Sequence, residues 1–244
     1  MKDRYREYAP HPALRPFVAC YWTSTAPAGA GARRILPDGC IDILFDLEDG
    51  GPRAGTIVGA MTRPFLFEPQ GAVSFVAVRF RPGGAVPFLR LSADAITDAE
   101  VALTHVWRAG SLGAQLREPD GDEARVRRLE AALRARLADA PALDARIQHA
   151  VSLLEDGTPA IDTVAAAVGL SRQHLIRLFR QHVGLGPKRF ARVMRMQRLR
   201  SRIDGVSRPD WAAVALDAGY YDQAHMIGEC RELTGVTPTE LARA

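Results

Sequence analysis

A weak internal repeat in the last hundred residues limits what this chain can fold into more than any other feature. Val164-Ala165 and Val168-Gly169 match Val214-Ala215 and Ala218-Gly219 at an offset of 50. Beyond them the offset becomes 51, pairing Leu175 with Met226, Phe179 with Cys230, Gly184 with Gly235 and Pro187 with Pro238. One residue has been added in the second turn. Each copy carries a small residue, Ala165 or Ala215, where a second helix must approach closely. A glycine, Gly169 or Gly219, then supplies a turn that accepts positive φ. The apolar positions that follow have helical spacing: Leu175, Leu178 and Phe179 in one copy, Met226, Cys230 and Leu233 in the other. A glycine ends each helix and a proline follows three residues later. The pattern predicts a short helix, a turn and a longer helix, made twice.

Charge adds a second constraint. Residues 1–140 hold 18 basic and 17 acidic side chains, and residues 141–244 hold 14 and 11. Between Arg172 and Arg208 there are eleven basic residues and one acid, Asp204. A patch of that sign points to a polyanionic partner. A helix-turn-helix unit presents its second helix, which fits the DNA major groove with its first residues at base edges. Basic side chains around it neutralise phosphates. A helical bundle with a solvated basic face would explain the charge but not the duplication.

Ala165, Gly169, Leu170-Ser171-Arg172, Leu175, Arg177, Leu178-Phe179, Gly184, Pro187-Lys188 and Phe190, with Ala215, Gly219-Tyr220, Asp222-Gln223, Gly235, Thr237 and Pro238, carry a resemblance to the AraC/XylS family of transcriptional regulators. It covers about residues 145–243. The resemblance implies two helix-turn-helix motifs joined by a long helix, here about Pro187 to Ile203. It implies base contacts from Gln173, Ile176 and Arg177, with Arg172, His174 and Arg180 nearer phosphates. In the second unit the corresponding positions are Gln223, Ala224, His225, Ile227 and Gly228. The family usually has Arg where this chain has Gly228 and Phe where it has Cys230. Glu229 adds a negative charge, so the second unit is expected to read DNA less strongly than the first.

The first 80 or so residues read as short strands with Gly and Pro punctuation. Ile41, Ile43 and Phe45 alternate with Asp42, Leu44 and Asp46, the period of a half-buried strand. Val73–Phe80 is rich in β-branched and aromatic residues, and GTIVGAM and FLFEPQG lie between the two. After Pro87 the pattern turns helical. Val126, Leu129, Leu133 and Leu137 form a narrow apolar stripe within residues 123–138, which either packs on its own domain or pairs two chains as a dimer seam. Residues 139–144 read as a linker. The expected fold is a two-domain α+β chain: a small cupin-like β-barrel with helices over residues 1–140, and an all-α domain over residues 141–244.

Residues 36–42 and 78–84 carry a resemblance to the cupin-like sensor domain found on some of these regulators. It implies a sensing or dimerising role, with Asp38, Asp42, Arg79 and Arg81 as candidates for contacting a small-molecule effector. Either phrase can equally be a structural turn. No metal or cofactor is expected, since His11 and His105 are far apart and no carboxylate joins them. The partners implied are double-stranded DNA, RNA polymerase and an effector. The rivals are a constitutive, ligand-free DNA binder and a repair protein that accepts alkyl groups on cysteine. The second needs a zinc-activated thiolate, and Cys20, Cys40 and Cys230 are scattered, with no CxxC pair. Cys40, close to Arg33 and Arg34, reads as an inert thiol or a redox sensor. The amino-terminal residues lack a secretory apolar core, and no apolar run is long enough to span a bilayer. A cytoplasmic, nucleoid-associated, non-enzymatic protein is expected.

Overall fold

The computed structural model describes residues 3–48, 55–107, 112–118, 121–157 and 160–243. The strands are β1 (Arg4–Tyr8), β2 (Val18–Ala26), β3 (Arg33–Ile35), β4 (Ile41–Asp46), β5 (Thr56–Val58), β6 (Phe65–Phe67), β7 (Val73–Phe80) and β8 (Glu100–Ala102). The helices are α1 (Val86–Leu89), α2 (Leu112–Arg117), α3 (Asp122–Leu137), α4 (Ala145–Glu155), α5 (Ile161–Ala167), α6 (Arg172–Val183), α7 (Pro187–Ile203), α8 (Trp211–Asp217), α9 (Gln223–Thr234) and α10 (Pro238–Leu241).

Six strands form one antiparallel sheet in the order β1-β2-β7-β4-β5-β8, and β3 pairs only with β6. The expected barrel is therefore not closed. Its end strands, β1 and β8, do not meet, and three-residue β3 and β6 make a separate ribbon. The alternation read from residues 41–46 holds: Ile41, Ile43 and Phe45 are buried while Asp42, Leu44 and Asp46 are only partly so. Opposite them Val76, Val78 and Phe80 of β7 face the same core. That face is covered by helices. Val126, Leu129 and Leu133 of α3 are buried against β7 and β2. Three of the four stripe residues within 123–138 are thus spent on the chain's own sheet, and the fourth, Leu137, is half-buried.

The repeat is reproduced element for element. α5 and α8 have seven residues each, and α6 and α9 have twelve. Gly169 and Gly219 take φ of 67° and 90° in the turns, and Gly184 and Gly235 close the longer helices at 87° and 75°. α7 runs from Pro187 to Ile203 between the two copies. Among the described residues no helix is long and apolar enough to cross a membrane.

One core runs from the sheet through α3 into α4, α5, α6 and the first half of α7. A second, smaller core of Leu199, Ile203, Ala215, Ala218, Tyr220, Met226 and Cys230 belongs to the second copy. Phe190 of α7 is fully buried, packed edge-on against Phe179 at 5.4 Å. Its other side meets the turn before β4, where Gly39 has φ of 75° and an added methyl group would lie 2.7 Å from the ring. Polar contacts line the same seam. Gln197 Nε2 donates to the Pro37 carbonyl at 2.6 Å, Thr97 Oγ1 to Gly184 at 2.6 Å and Arg189 Nη2 to Thr62 at 2.9 Å.

Two outcomes test this packing. Gly39→Ala should lower stability by about 1–3 kcal/mol, through overpacking and a left-handed backbone together. Gly31→Ala, with nothing within 4 Å, should change it little in the same urea titration. Asp144 caps α4 by accepting from the Arg146 N–H at 3.0 Å, and the Arg146 guanidinium helps hold its pKa down to about 2. Its charge-linked contribution is complete above the unfolded value of about 3.9 and is lost as pH falls through the folded value. Asp144→Asn keeps the cap, so its acid-unfolding curve should be shallower between about pH 4 and pH 2.

Candidate nucleic-acid interface

α6 begins where Ser171 Oγ accepts the His174 N–H at 3.3 Å, and α9 where Asp222 Oδ1 accepts the His225 N–H at 2.7 Å. Capping satisfies a free N–H and fixes the direction in which each helix leaves its turn. Leu175, Phe179 and Val183 then bury one face of α6, and Met226, Cys230 and Leu233 one face of α9. Helical geometry leaves the other face outward. Arg172, Gln173, Arg177 and Arg180 are exposed, with His174 and Ile176 half-buried beside them. On α9, Gln223, Ala224 and His225 are exposed and Ile227 is half-buried. All ten candidates lie on these two helices, toward solvent.

The basic run divides into two sets. Arg192 and Arg195 turn toward α9 and hold Glu229, whose side chain is 5% exposed. Arg192 Nε lies 2.8 Å from Glu229 Oε2, and Arg195 forms a fork on Glu229 at 2.9 and 3.0 Å. Burial opposes the Glu229 charge, but hydrogen bonds from Arg195 and Arg192 outweigh it and keep the pKa below the ordinary glutamate value. Glu232 takes Arg189 and the far end of Arg192. Arg198 donates to the carbonyls of Ala218 and Glu155. Arg202 pairs with Asp217 at 2.8 Å, and Arg172 with exposed Asp162 at 3.1 Å. Among the described residues, Arg177, Arg180, Lys188, Arg200 and Arg208 pair with no acid. A groove of about 480 Å³ lies between α5, α6 and the start of α7, walled by Arg172, Ile176, Arg180, Lys188, Arg189 and Arg192.

The negative charge of Glu229 is therefore not presented outward, as the sequence reading assumed. It is buried and neutralised. The difference between the copies lies elsewhere. The start of α9 carries anionic Asp222 where α6 carries neutral Ser171, which weakens attraction for phosphate at that helix end. Gly228 leaves open space, with nothing within 4 Å of an added methyl group. Tyr221 is a feature the sequence reading missed. It is 86% exposed just ahead of Gln223, and its N–H donates to His225 Nδ1 at 3.3 Å. Its signal was present only as a second tyrosine after Tyr220, which is buried under Arg195.

In the sheet domain three of the four effector candidates meet. Arg79 Nη2 lies 3.1 Å from Asp42 and Arg79 Nε 3.5 Å from Asp38, while Trp22 Nε1 donates to Asp42 at 3.0 Å. Burial pushes the Asp42 pKa up against the pull of Arg79. Arg81 stands apart, exposed, and donates to the Arg15 carbonyl at 2.9 Å. The cysteines are not activated: burial pushes the Cys20 thiol up to about 11 and raises Cys40 and Cys230 as well.

Residues 164–244 match a helix-turn-helix domain family, and residues 6–102 match a domain family of unknown function, DUF6597. An uncharacterized HTH-type transcriptional regulator of Haemophilus influenzae is 29% identical over 84 residues, which are 34% of this chain and 28% of that protein. The chain thus spans little more than a quarter of that relative. ToxT of Vibrio cholerae is 10% identical, covering 99% of this chain and 97% of its own, with a TM-score of 0.46. A solved regulator from Chromobacterium violaceum, described as an AraC-type DNA-binding domain-containing protein, is 30% identical over 40% of this chain and 89% of its own, with a TM-score of 0.37. With that identity over nearly the whole of the solved regulator, and the helix-turn-helix family covering the same end of this chain, the protein belongs to the AraC/XylS family of transcriptional regulators.

Proposed function

We propose that the chain is a sequence-specific DNA-binding transcription regulator. In this reading α5–α6 and α8–α9 are two helix-turn-helix motifs, and α7 sets them side by side on one face of the duplex, in successive major-groove segments. The observation that carries it is the outer face of α6, where Gln173, Arg177 and Arg180 stand exposed while every apolar residue of that helix is wholly or partly buried. Gln suits adenine and Arg suits guanine as bidentate readers. Lys188 and Arg180 border the groove where phosphate would lie, as Arg172 does once it leaves Asp162. α9 is the weaker reader, using Gln223, His225 and Tyr221 in place of an arginine.

Residues 1–140 serve as the sensing domain and residues 141–244 as the DNA-binding domain, with RNA polymerase as the downstream partner. The Asp38–Asp42–Arg79 cluster supports an effector site because it gathers three charged side chains and the Trp22 indole on the sheet face opposite the Ile41–Ile43–Phe45 core. The turn that bears Asp38 also touches α7. A constitutive binder remains the second reading, favoured by the continuous core joining the sheet to the first copy.

Operator titrations of the full chain test the ranking. Arg177→Ala should cost about 1–3 kcal/mol and relax one base position, whereas Gln223→Ala or His225→Ala should cost less. Gly228→Arg enters open space and should tighten binding while steepening the salt dependence. A footprint dominated by the second copy would reverse the ranking. Thermal-shift screening of the full chain against small molecules separates the two readings: an effector at 100 times its Kd should add about 2.7 kcal/mol, and a constitutive binder should show no such shift.

A further inference from the structure

We infer that Glu229 is a positioning residue that fixes the distance and angle between the two reader helices, and so sets which half-site spacing the protein accepts. This rests on the proposed DNA-binding reading. The case begins with the two cores. The first copy shares its core with the sheet domain, while the second copy is built largely around its own, so little of α9 is packed into the body that holds α6. Leu233 is the one α9 side chain counted in the larger core. What ties the two together is α7 and the ionic seam along it. Arg189, Arg192 and Arg195 recur every three residues and share one side of that helix. Arg192 and Arg195 are turned to α9, and Arg189 is shared between Glu232 of α9 and the Thr62 carbonyl of the sheet domain.

Glu229 is the centre of that seam. Both of its oxygens are used, Oε1 by Arg195 and Oε2 by Arg192 and Arg195. Forked arginine contacts on a carboxylate constrain orientation as well as distance. The Arg195 guanidinium also lies over the Tyr220 ring at 5.2 Å and reaches the Gly219 carbonyl at 3.4 Å, so the same arginine grips the turn that launches α9. Glu232, by contrast, is half exposed, and its partners have other anchors: Arg189 keeps Thr62 and Arg192 keeps Glu229. The repeat offers no counterpart in the first copy, where position 178 is Leu.

Duplexes selected from a random library by the full-length protein would be rebuilt with one or two base pairs added or removed between the half-sites. Binding is read by fluorescence anisotropy. The wild type should lose about tenfold in affinity for each displaced step. Glu229→Gln should keep its affinity for a duplex bearing only the first half-site, yet discriminate between spacings by no more than about twofold. Glu232→Gln should keep the wild-type ranking of spacings. Arg195→Lys retains the charge but loses the fork, and should relax spacing as Glu229→Gln does, which carries the test if the latter does not melt cooperatively. A folded Glu229→Gln or Arg195→Lys variant that ranks spacings as the wild type does would overturn the inference and leave DNA binding intact. A wild-type protein that selects no sequence overturns both.

Discussion

Phe190 has no surface of its own left. The ring is pressed between Phe179 of the first copy and the Gly39 turn of the sheet domain, and it sits near the start of the helix that leads to the second copy. Burying a phenylalanine contributes about 1.5–3 kcal/mol, but its position matters more than that amount. It obliges the turn at residues 37–39 to approach backbone-close, which only a residue without a side chain allows, and the backbone there takes a positive φ. The sheet domain, the first copy of the repeat and the base of α7 are thereby parts of one packed body. Interiors of that density transmit displacement rather than absorb it. A change at Asp38, one residue from Gly39 and ion-paired to Arg79, is mechanically close to α7 for the same reason.

Electrostatics then sorts what packing leaves over. Eleven basic residues on one stretch looked uniform in sequence, but a guanidinium near a buried carboxylate is a structural part, and only one facing water without a partner is free to meet a phosphate. Glu229 makes the distinction. Had it been exposed, it would have repelled DNA at the second reader. Buried between two arginines, it removes their charge from the surface instead. The cost of desolvating it is met by forked hydrogen bonds, without which a buried charge would be destabilising. Within that stretch, among the described residues, the exposed cations without an acid are therefore Arg177, Arg180 and Lys188, on α6 and the start of α7, and Arg200 and Arg208 further along.

The helical half was legible because its signals are local. Glycines at positive φ, prolines at the first helical turn and apolar residues three and four apart mark boundaries within a few residues of where they act, and α7 begins at Pro187 and ends at Ile203 as the family resemblance implies. The sheet was less legible. β2, its longest strand, is buried on both faces through much of its length and so shows no alternation to read. β8 is three residues long, too short for any period, and lies in a stretch whose composition looks helical. Closure into a barrel depends on which edge strands meet, which no strand's own sequence encodes. Likewise the arginines of α7 could not be sorted in advance. Their acids, Glu229 and Glu232, lie 34 to 43 residues away on a helix whose rotation about its axis only tertiary packing decides. Asp42 and Arg79 have the same history: each strand was readable, but their meeting follows from the register of β4 on β7.

The proposed inequality of the two readers accords with how the two copies are supported. The first is embedded in a large core and presents Arg177 and Arg180 to solvent. The second has a small core, an acidic cap, a glycine where a reading arginine would fit, and an ionic tether to α7. A protein that binds through one dominant and one subordinate reader gains affinity from the first and discrimination from the second, since the second adds binding only when its half-site lies at the right separation. The weakness of α9 is then compatible with selectivity, provided its orientation is held. Gly228 would make a loosely held α9 easier to bend, as glycine within a helix is destabilising by about 1 kcal/mol relative to alanine. The buried carboxylate one residue further on offsets that freedom by fastening the middle of the same helix.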